Sequence, residues 1–185
     1  KKELNKKERK YRLKIGFNKK NKLVSINKPL SSKVMFNNNY PYRSSMSRTM
    51  TRSFKHLSKF IKKKFKPKKI LEIGSNDGSF LKNFSKKITI GIEPCSNVER
   101  ITKKLGFNTY ANYWNKKTAK KILNKKGKID LIYSANTISH IEDLNEVFDS
   151  INIVLGDNGI IILEDPSLLE CLKKVSILSS PISPF

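Results

Sequence analysis

One stretch constrains the fold more than any other: Ile70-Leu71-Glu72-Ile73-Gly74-Ser75-Asn76-Asp77-Gly78-Ser79-Phe80. Ile70, Leu71 and Ile73 form a short apolar run that suits a parallel strand covered on both faces. Gly74 and Gly78 allow a tight turn and a close backbone approach to a ligand that a Cβ would hold off. Ser79 and Phe80 then open a helix whose free N–H groups are expected to face the same crevice. The next acidic residue at a strand end, Glu93, follows about 20 residues on, the spacing at which a carboxylate can hold both hydroxyls of a ribose.

The loop is not a pyrophosphate cradle. That chemistry calls for G-x-G-x-x-G, with phosphates resting on bare amides. Here the pattern is E-x-G-x-x-x-G, with Glu72 before the first glycine and Asp77 before the second. Carboxylates repel a pyrophosphate but favour a nucleoside that carries an ammonium and a sulfonium. The loop therefore reads as a site for S-adenosyl-L-methionine. A strand-turn-helix with no ligand is the plainer reading, and Glu93 and Asn136 weigh against it.

Downstream, strands are expected over 70–73, 88–92, 108–110, 129–135 and 159–164, with helices over 79–84, 97–105, 118–124, 143–155 and 167–174. This alternation predicts an α/β fold with a doubly wound, mostly parallel, Rossmann-like sheet, incomplete at the C-terminus, whose ligands lie at the C-terminal strand ends. Ser96 and Glu99 have the spacing of a capping box, Gly106 closes that helix, and 156–159 reads as a turn. Upstream, Met46, Met50, Phe54, Leu57, Ile61 and Phe65 recur at helical spacing, with serines before them as N-caps and Pro67 after them as a stop. His56 beside that stripe reads as a surface residue.

The formal net charge of +24 would suggest nucleic acid or an anionic surface. The lysines, however, are spread along the whole chain amid abundant Asn and Ile, as an AT-rich coding sequence produces, so nucleic acid is not the expected partner. Cys95 and Cys171 form no C-x-x-C pair, and no disulfide framework or metal site is indicated. No apolar run approaches about 18 residues and no signal peptide is visible, so no membrane association and a cytoplasmic setting are expected. The chain opens on Lys1 rather than Met, as a fragment would. Within the first 28 residues two apolar bursts, around 11–17 and 23–26, suggest a small ribbon that is marginal without a core or a metal.

Polar residues recur at the expected strand ends: Glu72 at the first, Glu93-Pro94 at the second, Ala111-Asn112 at the third, Asn136 and His140 after the fourth, Glu164-Asp165-Pro166 after the fifth. So many on one rim are hard to assign to packing. Gly74, Ser75, Asn76, Asp77 and Gly78 would form the cofactor loop. Glu93 would take the ribose hydroxyls, Pro94 and Cys95 would lie against the adenine, Asn112 would reach its edge, and Asn136 would hold the aminoacid end. His140 is the imidazole of this rim and is suited to moving a proton at neutral pH, with helix-entry capping as its plainer role.

Taken together, these segments resemble the S-adenosylmethionine-dependent C-methyltransferases that act on C3 of a nucleotide-linked 4-keto-deoxysugar. The resemblance is carried by Phe36-x3-Tyr40-Pro41-Tyr42-x-Ser44-Ser45-x-Ser47, by the glycine loop, by Gly91-Ile92-Glu93-Pro94, by Ala135-Asn136-x3-His140-Ile141 and by Glu164-Asp165-Pro166. It covers roughly residues 23–175 and implies that Tyr42 lies over the sugar and that His140 polarises or deprotonates it. The resemblance also implies two departures. Asn18 and Asn21 stand where family members carry a zinc-binding cysteine pair, so residues 1–35 are expected to be a loose, metal-free remnant of a zinc-type domain. Residues 36–176 would be the cofactor-binding domain. In 177–185, Pro181, Ser183 and Pro184 stand where the family has the Tyr, Glu and His that supply its main base, so this tail is expected to be unrelated sequence and turnover to be impaired. An RNA or other nucleic-acid methyltransferase and an inactive cofactor-binding remnant are the alternatives. The first is disfavoured because Asn136-Thr137-Ile138-Ser139 lacks the prolines and aromatic residue of base N-methylases.

Overall fold

A computed structural model describes residues 10–168. The chain divides into two compact units, Lys1–Met35 and Phe36–Phe185. The expected helix over 167–174 lies almost wholly outside the described residues, and the tail at 177–185 entirely so.

In the first unit, β1 (Ile15–Phe17) and β2 (Val24–Ile26) pair antiparallel as a short ribbon, followed by one helical turn, α1 (Ser32–Met35). Asn18 and Asn21 serve the ribbon's turn. The Asn18 Oδ1 accepts from the N–H groups of Lys20 and Asn21, and the Asn21 Oδ1 accepts from that of Leu23. Ile15, Phe17, Val24 and Ile26 are exposed, so the ribbon buries almost nothing of its own.

The second unit opens with α2 (Arg48–Lys64). Ser47 caps it by accepting from the Met50 N–H at 3.2 Å. Its apolar stripe presents Phe54 and Ile61 to the core, with Met50, Leu57 and Phe65 partly covered. Met46 does not join the stripe. It ends a 3-10 turn ahead of the helix and is 78% exposed, because the chain enters α2 only after the extended Ser47.

Five strands form a wholly parallel sheet in the order β5-β4-β3-β6-β7: β3 (Ile70–Ile73), β4 (Thr89–Ile92), β5 (Asn108–Tyr110), β6 (Ile129–Ala135) and β7 (Leu155–Glu164). The chain starts in mid-sheet, winds outward through β4 and β5, then returns to the other side of β3 with β6. The crevice at the C-terminal ends of β3 and β6 is the switch point of such a sheet. Glu72 lies in register with Gly91 on β4 and Tyr133 on β6.

Alternation along the strands sends side chains to two covered faces. On one, Leu71, Ile73, Ile90, Ile92 and Ile132 meet α4 (Lys116–Lys126) and α5 (Leu144–Val154) through Ile122, Val147 and Ile151. On the other, Ile70, Leu131 and Tyr133 meet α2 through an aromatic cluster in which the Phe80 ring lies 4.0 Å from that of Tyr133 and 5.1 Å from that of Phe84. No helix among the described residues is long and apolar enough to cross a membrane.

Three local expectations are corrected. Residues 79–84 form a single 3-10 turn (Leu81–Asn83) rather than an α-helix. The Asn83 side chain donates to the carbonyls of Ser79 and Phe80 at 3.1 and 3.0 Å, taking acceptors that a continuing helix would use. The capping box is absent from α3 (Ser96–Lys104): Glu99 is buried and accepts from the Thr109 hydroxyl at 2.9 Å, while Ser96 bonds Asn38. The turn at 156–159 does not separate α5 from a later strand. It bulges out within β7, which pairs on either side of it, Leu155 with Ile129 and Ile160 with Leu131.

Candidate functional site

The glycine loop follows β3 at the switch point. Gly74, Asn76 and Gly78 take φ of +75°, +47° and +76°. That left-handed region favours glycine and, among other residues, asparagine. A Cβ on Gly74 would collide with the Thr137 side chain, and one on Gly78 would sit 2.7 Å from the Thr102 Cγ2. The N–H groups of Gly74 and Ser75 both donate to the Ile92 carbonyl, at 2.8 and 3.0 Å, which ties the loop to the end of β4.

Three carboxylates gather here, all buried: Glu72, Asp77 and Glu93. Their states differ because their partners differ. Glu93 is held at both oxygens. Its Oε2 accepts from the Asn76 N–H and its Oε1 from the Cys95 N–H, each at 2.9 Å. Each oxygen retains a lone pair for a further donor. Burial pushes its carboxyl above the ordinary value, and the bonds from Cys95 and Asn76 pull it back. Asp77 accepts from the Ser79 hydroxyl at 2.7 Å and from the Ser45 N–H at 3.1 Å. Glu72 has no such support. Its Oε2 is buried without a partner among the described residues, and burial, then the negative charges of Glu93 and Asp77, push its carboxyl well above the ordinary range. The Ser75 hydroxyl of the loop is also buried without a partner among the described residues. A buried carboxyl among other carboxylates, with no cation against it among the described residues, is chemically suited to a positive group.

Beyond β4, Pro94 is half-buried and Cys95 fully buried. Burial and Glu93 raise the Cys95 thiol, so it packs as a neutral group. Two phenols belong to the same neighbourhood. Tyr40 is pushed up to about 12 by burial and by Cys95, Glu93 and Tyr42. Tyr113 is raised by burial, Cys95 and Glu93, and its hydroxyl donates to the Phe36 carbonyl at 2.8 Å. Asn97 donates from Nδ2 to the Tyr40 carbonyl at 2.9 Å, while its Oδ1 is buried and unpartnered.

The loop, Glu93 and the segment from Tyr40 to Ser45 form one hydrogen-bonded group. Asn112, Asn136 and His140, also expected at the site, stand on the same rim without joining it. Asn112, half-buried past β5, donates its N–H to the Tyr110 carbonyl at 2.9 Å. Asn136 is exposed at φ +48° and donates its N–H to the Glu164 carbonyl at 2.7 Å. His140 closes a 3-10 turn (Ile138–His140), is exposed, and has its ring 5.9 Å from that of Phe36. Tyr42 is 43% exposed, and its carbonyl accepts from the Asn76 side chain at 3.4 Å. Glu164 and Asp165 brace the rim: Glu164 accepts from the Tyr133 hydroxyl and Asp165 from the Ser139 hydroxyl, each at 2.8 Å. Among the described residues no three His, Cys, Asp or Glu side chains meet as a metal site would need.

Asn97, Tyr113, Thr102 and Thr137 were not singled out from the sequence. Asn97 carried one available signal, a position four residues past Glu93 in the first turn of α3, beside the crevice.

A parallel sheet in this order, a glycine loop at its switch point and a carboxylate after the second strand define the class I, S-adenosylmethionine-dependent methyltransferase fold. The chain belongs to that group: residues 42–178 match the family described as a methyltransferase domain. It is 27% identical over 106 residues to the C-methyltransferase NovU of Streptomyces niveus, a match covering 56% of this chain and 25% of that protein. The plantazolicin methyltransferase BpumL, crystallised with a pentazolic desmethylPZN analogue and SAH, superposes with a TM-score of 0.56 at 18% identity over 74% of this chain and 55% of that one. DesVI of Streptomyces venezuelae superposes with a TM-score of 0.52 at 13% identity, over 65% of this chain and 52% of that one. The chain thus spans a quarter of the curated relative's length and about half of each solved structure.

Proposed function

We propose that this chain binds S-adenosyl-L-methionine at the β3–β6 crevice and takes part in C-methylation of a nucleotide-linked 4-keto-deoxysugar. The observation that carries the cofactor half is the Glu72 Oε2 and the Ser75 hydroxyl, buried without a partner among the described residues, in and after a strand whose glycine loop has no room for a Cβ at Gly74 or Gly78. Glu72 is the counter-charge for the ligand's ammonium. Glu93 uses its remaining lone pairs for two ribose hydroxyls. Pro94, Cys95 and Asn112 flank the base, and Asn136 the aminoacid end. When bound, the cofactor supplies a methyl group electrophilic enough to be taken by a carbanion, so the protein's part is alignment and proton removal.

The sugar half rests on the likeness to NovU and on the Tyr-Pro-Tyr-x-Ser-Ser-x-Ser run. In this reading His140 takes or polarises the proton α to the ketone, and Tyr42 covers the sugar. The His140 imidazole is exposed, with its ring 5.9 Å from that of Phe36, so solvent and a substrate can both reach it.

Calorimetry with S-adenosylhomocysteine tests the cofactor half. Binding is expected, and Glu93→Ala should weaken it by about 10–100-fold, the loss of two charge-assisted bonds. An unchanged affinity in that variant would overturn the assignment of Glu93. Methyl transfer to a 4-keto sugar nucleotide, followed by isotope incorporation, tests the sugar half.

A further inference from the structure

Residues 36–47 cross the rim as a strap, and the rim's side chains fasten its main chain. The Tyr113 hydroxyl holds the Phe36 carbonyl, Ser96 bonds Asn38, and Asn97 holds the Tyr40 carbonyl. Asn76 then takes the next stretch at two points. Its Nδ2 donates to the Tyr42 carbonyl, and its Oδ1 accepts from the Ser44 N–H at 2.9 Å. Asp77 accepts from the Ser45 N–H. The same Asn76 gives its backbone N–H to the Glu93 Oε2, and its carbonyl accepts from the Thr102 hydroxyl at 3.1 Å. Every polar group of Asn76 is thus engaged. One set of bonds runs to the carboxylate assigned to the ribose, the other to the strap that carries Tyr42.

We propose that Asn76 is a positioning residue, a latch through which occupancy of the Glu93 pocket fixes the strap and with it Tyr42. This rests on the cofactor reading given above. The geometry supplies the coupling. Asn76 sits at φ +47°, with its backbone bound on one side and its side chain on the other, so its amide cannot keep both Ser44 and Tyr42 if the loop shifts relative to Glu93. A ligand that locks Glu93 and the loop together therefore lowers the population in which the strap is open. Tyr42 is the residue that gains, because 43% of its surface is exposed and its main chain is what Asn76 holds.

The test is hydrogen exchange of the amides in residues 40–47, with and without S-adenosylhomocysteine, with binding measured in parallel by calorimetry. At ligand about 100-fold above Kd, full coupling slows exchange through strap opening by up to ~100-fold, and at least ~10-fold slowing is expected. Asn76→Gly keeps the backbone N–H to Glu93 and tolerates the positive φ, but removes the latch. Ser44→Pro makes the change on the strap instead of the loop, removing the N–H that Asn76 accepts from, and it follows an Arg43 already extended at φ −135°, ψ 126°, as a residue before proline prefers. Both variants should bind ligand with measurable heat, yet show less than ~2-fold protection of the strap. Protection that survives in both variants overturns the latch, and so does binding heat in the parent without protection. No heat in the parent overturns the cofactor reading, and the latch with it.

Discussion

Glu72→Gln separates what the buried carboxyl does for binding from what it does to folding. In the folded chain this carboxyl is buried without a partner at Oε2 and raised well above its ordinary 4.5 by burial, then by Glu93 and Asp77. Below about pH 4.5 it is protonated in both folded and unfolded chains and carries no charge penalty. As pH rises past that point, the unfolded chain releases the proton while the folded one retains it. Stability is therefore lost progressively until the folded carboxyl itself ionises, and is level beyond. Gln has nearly the same shape and never ionises. The variant should match the parent near pH 4 and exceed it at pH 7.5. A buried unpartnered polar group costs about 1–3 kcal/mol, more when charged, and Gln leaves a neutral amide in the same place. A gain of roughly 1–2 kcal/mol follows, or about 2–8 °C in Tm for a domain of this size. On the proposed assignment of Glu72 as counter-charge to the ligand's ammonium, the same change removes a bond of about 1.5–3 kcal/mol, so affinity should fall by about 10–100-fold. Thermal melts from pH 4 to 8, paired with calorimetry, read both. A Tm difference that does not vary with pH, or a variant less stable than the parent at pH 7.5, would refute the reasoning.

Gly74→Ala should cost about 1–3 kcal/mol, because the new methyl meets the Thr137 side chain and the backbone stays at φ +75°. Adding Thr137→Ala should return the steric part and leave the backbone part, which a double-mutant cycle in urea resolves. Phe80→Ala removes a fully buried ring packed on Phe54, Phe84 and Tyr133. It should lower stability by about 3–5 kcal/mol, read as a fall in the urea midpoint with an unchanged slope.

The sheet was legible because its strands carry their own signal. Apolar runs beside lysines and glycines marked 70–73 and 129–135 with the limits the structure gives them, the expected limits of 108–110 also match, and the alternation of strand and helix implied the parallel arrangement. Where the reading failed, a contact that the local pattern did not reveal overrode it. Ser96 and Glu99 had capping-box spacing, but Glu99 lies inside against Thr109, and burial there outweighs a surface cap. Residues 79–84 had helical composition, but Asn83 folds back on the carbonyls of Ser79 and Phe80. Gly156 and Gly159 marked a turn, and nothing local revealed that β7 pairs on both sides of it.

At the site the division falls between side-chain and main-chain chemistry. Glu72 and Glu93 could be picked out because a carboxylate at a strand end is rare and has few bland explanations, and Asp77 because it stands before the second glycine of the loop. The 36–47 run was marked by resemblance, but its fastening could not be read, because it uses the carbonyls of Phe36, Tyr40 and Tyr42 and the N–H groups of Ser44 and Ser45, which almost any residue supplies. The side chains that hold it are two asparagines, a tyrosine, a serine and an aspartate scattered over two loops and the first turn of α3. Each has an ordinary reading alone, and only folding shows that they converge. Asn76 illustrates the limit. Its letter fits the glycine loop for a reason of backbone conformation, a tolerance of positive φ that glycine would provide better. What glycine would not provide is the amide that reaches Tyr42 and Ser44, so asparagine at this position serves two constraints at once.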